Sequence, residues 1–188
     1  MSEHIVGVNP KEYNGKTYRS TLEARTAETL DKLGIPWEYE TKTFTIQEGF
    51  YCPWQKRKVL DIDYTPDFII GPIMVEMKGF ETPDWKIKKK VFFKYLKENE
   101  PDAIWYMVKN DKQLLQVLDR HLNYLGYAVK VTSKPTRKKP SESWMFDSVA
   151  QALEELNIHT TFGTVISSLT GKRKYVSGFK FELVKLTL

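Results

Sequence analysis

The chain has 188 residues, of which 41% are hydrophobic and 28% charged, and this composition excludes a disordered chain. A net charge of +5 and a pI near 9.1 favour a polyanionic partner. A single cysteine, Cys52, excludes an internal disulfide and a cysteine-rich zinc site. No apolar run has the length of a membrane span, and the first residues lack the pattern of a signal peptide. We therefore expect a cytoplasmic protein with no membrane partner.

The first predicted helix begins at Ser20 and ends near Leu33, before a glycine and a proline. Residues 1–16 are polar and carry turn signals, which predicts a flexible N-terminal arm. Glu23 lies at the edge of the inward stripe of the helix, where it could take part in a site. It also follows Ser20 by three residues, as in a capping box. The residues alone leave both interpretations open.

Two strands are predicted next, over residues 37–46 and 59–70, because both segments are rich in β-forming residues. Residues 48–58 between them form a predicted loop with three aromatic and three basic side chains. Such a loop can stack on bases and hold phosphates. It can also simply pack against the protein, and packing is the interpretation that the sequence slightly favours.

The central stretch, residues 64–79, has two apolar runs joined by Gly71-Pro72, yet it carries three charges. If the two turn residues form a two-residue hairpin loop, Asp67 falls opposite Glu76. Side chains in that position have Cβ atoms about 5 Å apart, so the carboxylates repel one another. Strand alternation puts Lys78 on the face of Glu76 and leaves the other face to the core. A bridging cation would relieve the repulsion, and carboxylate oxygens suit Mg²⁺.

A second helix is predicted from Thr82-Pro83-Asp84 to about Asn99. One face is rich in lysine, which is usually solvated surface. Because the helix follows the charged hairpin closely, the lysines are also candidates for contacts with phosphates. The residues predicted to bind DNA on this helix are Lys86, Lys89 and Lys90.

The later elements are a strand over residues 103–108, a helix over 111–125 and a strand over 127–131. The order of helices and strands predicts an α/β fold with a central mixed β-sheet flanked by helices.

Residues 132–144 are rich in lysine, proline and serine and are predicted to be a basic linker. In residues 145–188, two short helices joined by a tight turn predict a small helix-turn-helix-like DNA-binding module, with Asp147 capping the first helix. A helical hairpin used for packing or dimerisation is the alternative. The residues predicted to bind DNA in these segments are Arg137, Lys138, Lys139, Lys172, Arg173 and Lys174.

Phosphodiester hydrolysis needs a metal ion, carboxylates that hold it and a cation near the attacking water. Pro66-Asp67 and Glu76-Met77-Lys78 supply these groups and resemble the signature of the PD-(D/E)xK nuclease superfamily. With Tyr18-Arg19-Ser20-x-Leu22-Glu23 and Tyr64-Thr65-Pro66-Asp67-Phe68, roughly residues 17–108 are similar to phage endonuclease I, a family of Holliday-junction resolvases.

The resemblance implies a restriction-endonuclease-like nuclease domain over residues 17–131 that cuts DNA with Mg²⁺, for which Mn²⁺ can substitute. It implies that Asp67 and Glu76 are metal ligands and that Lys78 lies near the attacking water. Glu23 would be a further ligand or would orient that water. Cutting both strands requires two such sites, so a homodimer acting on double-stranded or branched DNA is expected, without a small-molecule cofactor.

The end of the chain, from Phe146-Asp147-Ser148-Val149-Ala150 through Gly171-Lys172-Arg173-Lys174 to Gly178-Phe179-Lys180-Phe181, is similar to the DNA-binding repeats of homing endonucleases. A nuclease domain tethered to such a module predicts a site-directed, homing-type endonuclease of phage or mobile-element origin. One alternative is a junction resolvase with an additional clamp. The other is a non-catalytic DNA-binding protein on a nuclease fold.

Overall fold

The computed structural model describes residues 10–187, so residues 1–9 of the predicted N-terminal arm lie outside the described part. The described chain is mixed α/β, with five helices and several sheets, one of which is mixed. It divides into two compact units: Trp37–Val108 is one, and the segments before and after it together form the other. None of the helices within residues 10–187 has the length and apolar character needed to cross a bilayer.

The elements are numbered in chain order. The strands are β1 (Lys11–Tyr13), β2 (Lys16–Tyr18), β3 (Glu38–Tyr39), β4 (Phe44–Gln47), β5 (Phe50–Cys52), β6 (Arg57–Val59), β7 (Ile62–Tyr64), β8 (Phe68–Ile70), β9 (Ile73–Met77), β10 (Ile104–Val108), β11 (Tyr127–Ser133), β12 (Ser143–Phe146) and β13 (Phe179–Lys185). The helices are α1 (Thr21–Leu33), α2 (Pro83–Asn99), α3 (Asp111–Asp119), α4 (Val149–Glu155) and α5 (Phe162–Leu169).

The unit Trp37–Val108 is built on a four-stranded mixed sheet in the order β10-β9-β8-β3. β9 and β10 are parallel and are connected through α2, whereas β8 pairs antiparallel with both β9 and β3. The predicted hairpin register is confirmed, because Ile70 lies opposite Ile73. Gly71 has the positive φ, 56°, that a two-residue loop of this kind requires at its first position.

Helix α2 covers one face of this sheet. It begins where predicted, because the Thr82 side chain accepts a hydrogen bond from the Trp85 N–H at 3.2 Å and proline follows the cap. The core beneath it is a largely aromatic cluster formed by Phe44, Ile46, Tyr64, Met74, Trp85, Phe92 and Leu96.

Three predictions of strand and loop in this unit are corrected. The strand expected over residues 37–46 is broken at Glu40, whose φ is 54°, into β3 and β4. The strand expected over 59–70 is broken between β7 and β8, where Pro66 has no N–H for a sheet ladder. The loop expected over 48–58 contains the antiparallel hairpin β5–β6.

In the other unit, the part of the predicted flexible arm that the structure describes is a β-hairpin. β1 pairs with β2 across Asn14-Gly15, whose φ values of 50° and 75° are those of a tight turn. Helix α1 follows with the predicted ends: Ser20 is its N-cap, and Gly34 closes it at a φ of 67°.

The division into a nuclease domain, a linker and a separate module differs from the observed arrangement. β11 is the centre of the antiparallel sheet β12-β11-β13, so the predicted linker, residues 132–144, connects two paired strands and contributes to both. β13 and the end of β12, which fall within the predicted separate module, therefore belong to the same sheet as β11. Two helix boundaries also differ: α3 ends at Asp119, and Ser148 caps α4 in place of Asp147.

Candidate functional site

Two buried carboxylates lie on the β8–β9 hairpin. Asp67 precedes β8 and Glu76 belongs to β9, and each side chain belongs to a residue that is only 5% exposed. Asp67 Oδ2 accepts a hydrogen bond from the backbone N–H of Met77 at 2.6 Å. Met77 directly follows Glu76, so this bond holds the Asp67 carboxylate against β9 beside Glu76. The Asp67 carbonyl accepts from the Glu40 N–H at 3.0 Å, which fixes the backbone from the β3 side.

A chain of two hydrogen bonds orients the Glu76 carboxylate. The Tyr64 hydroxyl donates to Glu76 Oε2 at 2.9 Å, and Trp105 Nε1–H donates to the Tyr64 oxygen at 2.8 Å. The Tyr64 ring is held by aromatic neighbours, with its centroid 4.2 Å from that of Phe92 and 5.6 Å from that of Trp85. Glu76 is thereby held by a donor that is itself fixed by packing.

The Tyr64 hydroxyl remains protonated at neutral pH. Burial raises its pKa well above the ordinary value, and the charge of Glu76 beside it raises the pKa further. The charge of Asp67 raises the pKa in the same direction. Tyr64 is therefore a hydrogen-bond donor to the site and not a base.

Lys78 directly follows β9, and its side chain reaches Glu76 and the ring of Trp85. Its Nζ lies 3.9 Å from Glu76 Oε1 and 4.8 Å from the centroid of the Trp85 ring. Its backbone N–H donates to the Val108 carbonyl at 3.0 Å, which continues the pairing of β9 with β10. The side chain is 33% exposed, so the ammonium group reaches solvent while both carboxylates stay buried.

The prediction that only the opposite face of the hairpin is core needs a correction. All five residues of β9 are buried, including Met74, which shares the face of Glu76 and belongs to the aromatic cluster under α2. The carboxylates therefore lie at the edge of an apolar core. Burial makes their mutual repulsion costlier than it would be at a solvated surface.

The donor set fits Mg²⁺. Two carboxylates suit this ion, which is commonly held by one or two carboxylates and keeps several of its waters. Asp67 and Glu76, which the β8–β9 register brings together, are the residues that could hold the ion. The predicted third ligand, Glu23, belongs to the other unit.

Glu23 performs the capping role that its spacing from Ser20 predicts. Its N–H donates to Ser20 Oγ at 3.2 Å, and Oε1 accepts from the Ser20 hydroxyl at 2.7 Å. Its other oxygen, Oε2, accepts from the Arg19 N–H at 3.1 Å. Both carboxylate oxygens thus accept hydrogen bonds at the start of α1, and a catalytic role for Glu23 stays a prediction.

The lysines predicted to bind DNA on α2 differ in their surroundings. Lys86 and Lys90 are exposed and lie one turn apart, so they present two positive charges on one side of the helix. Lys89 forms an ion pair with Glu81 instead. Its charge is therefore partly neutralised within the protein.

In the other unit, the two predicted basic segments come together around Tyr175. Lys134, at the start of the β11–β12 connection, has its Nζ 5.9 Å from the Tyr175 ring centroid, and Lys174 has its Nζ 5.7 Å from it. The Lys134 N–H also donates to the Gly178 carbonyl at 2.8 Å. The predicted DNA-binding residues Arg137, Lys138, Lys139, Lys172, Arg173 and Lys174 are all exposed.

Sequence reasoning did not find the residues that position the site. Tyr64 contacts Glu76, Trp85 contacts Lys78, and Trp105 donates to Tyr64. The patterns around these three residues predict only that they are core residues. Tyr64 and Trp105 are 41 positions apart, and no local pattern connects them.

We expect Tyr64→Phe to weaken metal binding without unfolding the protein. The change removes the hydroxyl that orients Glu76 and keeps the packed ring. Loss of such an orienting partner typically raises the metal concentration required by about ten- to a hundredfold. The measurement is the Mg²⁺ concentration that gives half of the maximal rise in melting temperature. Tyr95→Phe, which removes a hydroxyl that borders the same cluster, should leave this concentration unchanged, and equal shifts in both variants would contradict the role of Tyr64.

Two buried carboxylates with a lysine beside them make a candidate site for a divalent cation and an anionic substrate. The chain matches no protein-family model, no protein of curated function and no solved structure. The activity of the site is therefore inferred from its own side chains.

Proposed function

We propose that the protein is a metal-dependent DNA endonuclease with a restriction-endonuclease-like core built on the mixed sheet β10-β9-β8-β3. The observation that carries this proposal is the pair of buried carboxylates, Asp67 and Glu76, with Lys78 Nζ 3.9 Å from Glu76 Oε1. Two carboxylates buried close together repel one another, and the single ammonium group of Lys78 supplies only one positive charge beside them, so a bound divalent cation would complete the compensation.

In this proposal Asp67 and Glu76 hold Mg²⁺, or Mn²⁺ in its place. The ion would act as a Lewis acid on the phosphodiester and would help to supply the attacking hydroxide. The Met77 N–H and the Tyr64 hydroxyl keep the two carboxylates in fixed orientations, which reduces reorganisation during the reaction. Lys78 contributes a positive charge for the phosphate oxygens on which negative charge develops.

Two groups of basic residues support DNA as the substrate. Lys86 and Lys90 lie on the helix that follows the site, and the Lys134–Tyr175–Lys174 cluster lies in the other unit. Within residues 10–187, none of these four lysines forms an ion pair with a carboxylate, so their charges remain for phosphates.

The two short helices do not favour a tethered reader of the major groove. α5 packs against α3 and β13, and its Ser168 Oγ accepts from the Phe181 N–H at 3.0 Å. The exposed side chains of α4 include Glu154 and Glu155, which repel phosphates. We therefore propose that DNA structure, such as a branch, selects the cleavage position, and that a homodimer cuts both strands. A site-directed homing endonuclease is the second candidate, supported by the two-helix layout alone.

Cleavage of several DNA forms at equal concentration tests the proposal. We expect Mg²⁺ or Mn²⁺ to support cutting and EDTA to abolish it. A four-way junction should be cut at least about tenfold faster than a linear duplex of the same sequence, a difference of about 1.4 kcal/mol in activation free energy. Cutting of long linear DNA at a single position would favour the homing endonuclease. Tight binding without cutting of any form in either metal would favour a non-catalytic DNA-binding protein.

A further inference from the structure

The β5–β6 hairpin, residues 50–59, carries its aromatic side chains outward. Phe50 is 52% exposed, Tyr51 63% and Trp54, in the turn, 79%. Of these ten residues only Cys52 is buried. The prediction that this aromatic and basic cluster packs against the protein is therefore wrong. Strand alternation puts Phe50 and Tyr51 on opposite faces of the hairpin, but exposure of three large aromatic side chains within residues 50–54 is typical of an interaction site.

The base of the hairpin is held in place. The Gly49 N–H donates to Asp61 Oδ1 at 2.6 Å, across the two strands that lead into and out of the hairpin. A Cβ atom at Gly49 would lie 2.4 Å from the Val59 carbonyl oxygen, so only glycine permits this close approach. The hairpin continues the β4–β7 ribbon, whose last residue, Tyr64, donates to Glu76. It is thus an ordered extension of the strands that support the site.

The charges of the hairpin select the kind of partner. Lys56, Arg57 and Lys58 are exposed, and the segment contains no acidic residue. Within residues 10–187 none of these three cations forms an ion pair with a carboxylate. Tyr51 lies directly opposite Lys58, so an exposed ring and an exposed ammonium group stand side by side on one face. A ring next to a cation is the combination that binds a base and its phosphate.

A second copy of the chain fits this surface less well. A symmetric dimer formed through the hairpin would place the same surface of each protomer against the other. Such a dimer would bring the three cations of each copy, and no carboxylate from residues 50–59, into one interface. DNA offers negative charge to these residues and flat apolar bases to the rings.

We propose that the β5–β6 hairpin binds DNA where bases are unpaired or unstacked, with Trp54 stacked on a base and Lys56, Arg57 and Lys58 on the adjacent phosphates. Bases within an intact duplex are already stacked on their neighbours, so the indole has no accessible base face there. The hairpin would thus favour branched or distorted DNA over a regular duplex. This inference rests on the proposed function only in taking DNA as the substrate.

Binding of the full chain in EDTA tests the hairpin without requiring cleavage. Fluorescence anisotropy is measured with a duplex that contains a three-nucleotide bubble and with a fully paired duplex of equal length. Trp54→Ala is expected to weaken binding to the bubble by about tenfold or more, the size of one lost base stack, and binding to the paired duplex by less than about twofold. Trp54→Phe should restore most of the loss. Tyr124→Ala, which removes a 71% exposed aromatic side chain of the other unit, is the matched control.

Equal losses on the two duplexes, or none, would overturn the proposal. Failure of the wild-type protein to bind either duplex would also overturn the proposal. The same holds if sedimentation shows that Trp54→Ala has lost self-association while its affinity for DNA is unchanged. The proposed function is tested separately, since wild-type protein that cuts DNA while Trp54→Ala binds normally contradicts the role of the hairpin alone. If Trp54→Ala shows the expected loss of binding to the bubble but the wild type cuts no DNA, only the proposed nuclease activity is contradicted.

Discussion

Asp67→Asn is expected to lower the rate of DNA cleavage in Mg²⁺ by about a thousandfold or more. The change removes one of the two charges that can hold the ion, and metal catalysis contributes several kcal/mol to reactions of this type, at about 1.4 kcal/mol for each tenfold in rate. Asparagine can still accept the Met77 N–H, so the hairpin should keep its shape. The single-turnover rate at saturating protein measures the effect.

The same variant separates a metal site from a purely structural carboxylate. Asp67→Asn removes the repulsion with Glu76, so in EDTA the variant should be at least as stable as the wild type. Mg²⁺ should raise the melting temperature of the wild type and not that of the variant.

Lys78→Met, which keeps an unbranched chain beside Trp85, should also abolish most cleavage while DNA binding persists. Asp102→Asn, at an exposed position of the same unit, is the control. Unchanged cleavage in Asp67→Asn would refute the site.

Phe92→Ala is expected to reduce the free energy of unfolding by about 3–5 kcal/mol. Phe92 is 1% exposed, and its ring packs against Phe44, Tyr64 and Trp105, with centroids 5.5, 4.2 and 6.1 Å away. Loss of the ring leaves a cavity at the centre of the cluster that also supports the Tyr64 hydroxyl. Urea denaturation followed by tryptophan fluorescence measures the change, since Trp85 and Trp105 lie in or against this cluster.

Phe93→Ala is the matched control, because it removes the same ring one residue further along α2. Phe93 is 45% exposed and contacts the Trp105 ring at 5.1 Å, so its loss should cost only about 1 kcal/mol. Similar losses for the two variants would show that the cluster under α2 does not carry the stability of this unit.

The parts of the site that could be predicted are those fixed by short-range chemistry. Gly71-Pro72 predicts a two-residue hairpin loop, and the length of this loop sets the strand register that brings Asp67 opposite Glu76. The start of α2 is equally local, since Thr82 and Pro83 supply the cap and the first turn. The break between β7 and β8 also has a local cause, because Pro66 has no N–H for a sheet ladder.

The remaining features depend on partners distant in sequence. Trp105 reaches Tyr64 only because β10 pairs with β9 in parallel after the α2 crossover. Residues 132–144 look like a linker because their alternation is weak, and β12 forms because β11 offers it an edge. The exposure of Trp54 is likewise undecidable from the sequence, because the same aromatic residues would be buried if another element covered them.

The split between the two units has a consequence for synthesis of the protein on the ribosome. The carboxylate-bearing unit is one continuous stretch, whereas the other draws α1 from before it and β11 to β13 from after it. Residues 37–108 can therefore close their own core while the chain is still growing, because domains generally fold as units during synthesis. α1 has to wait for later partners, such as Asp111, whose Oδ2 is 3.0 Å from Arg25 Nη2, and Tyr127, whose hydroxyl donates to the Gly34 carbonyl. A nascent chain that stops before residue 179 would lack β13 and leave one edge of β11 bare.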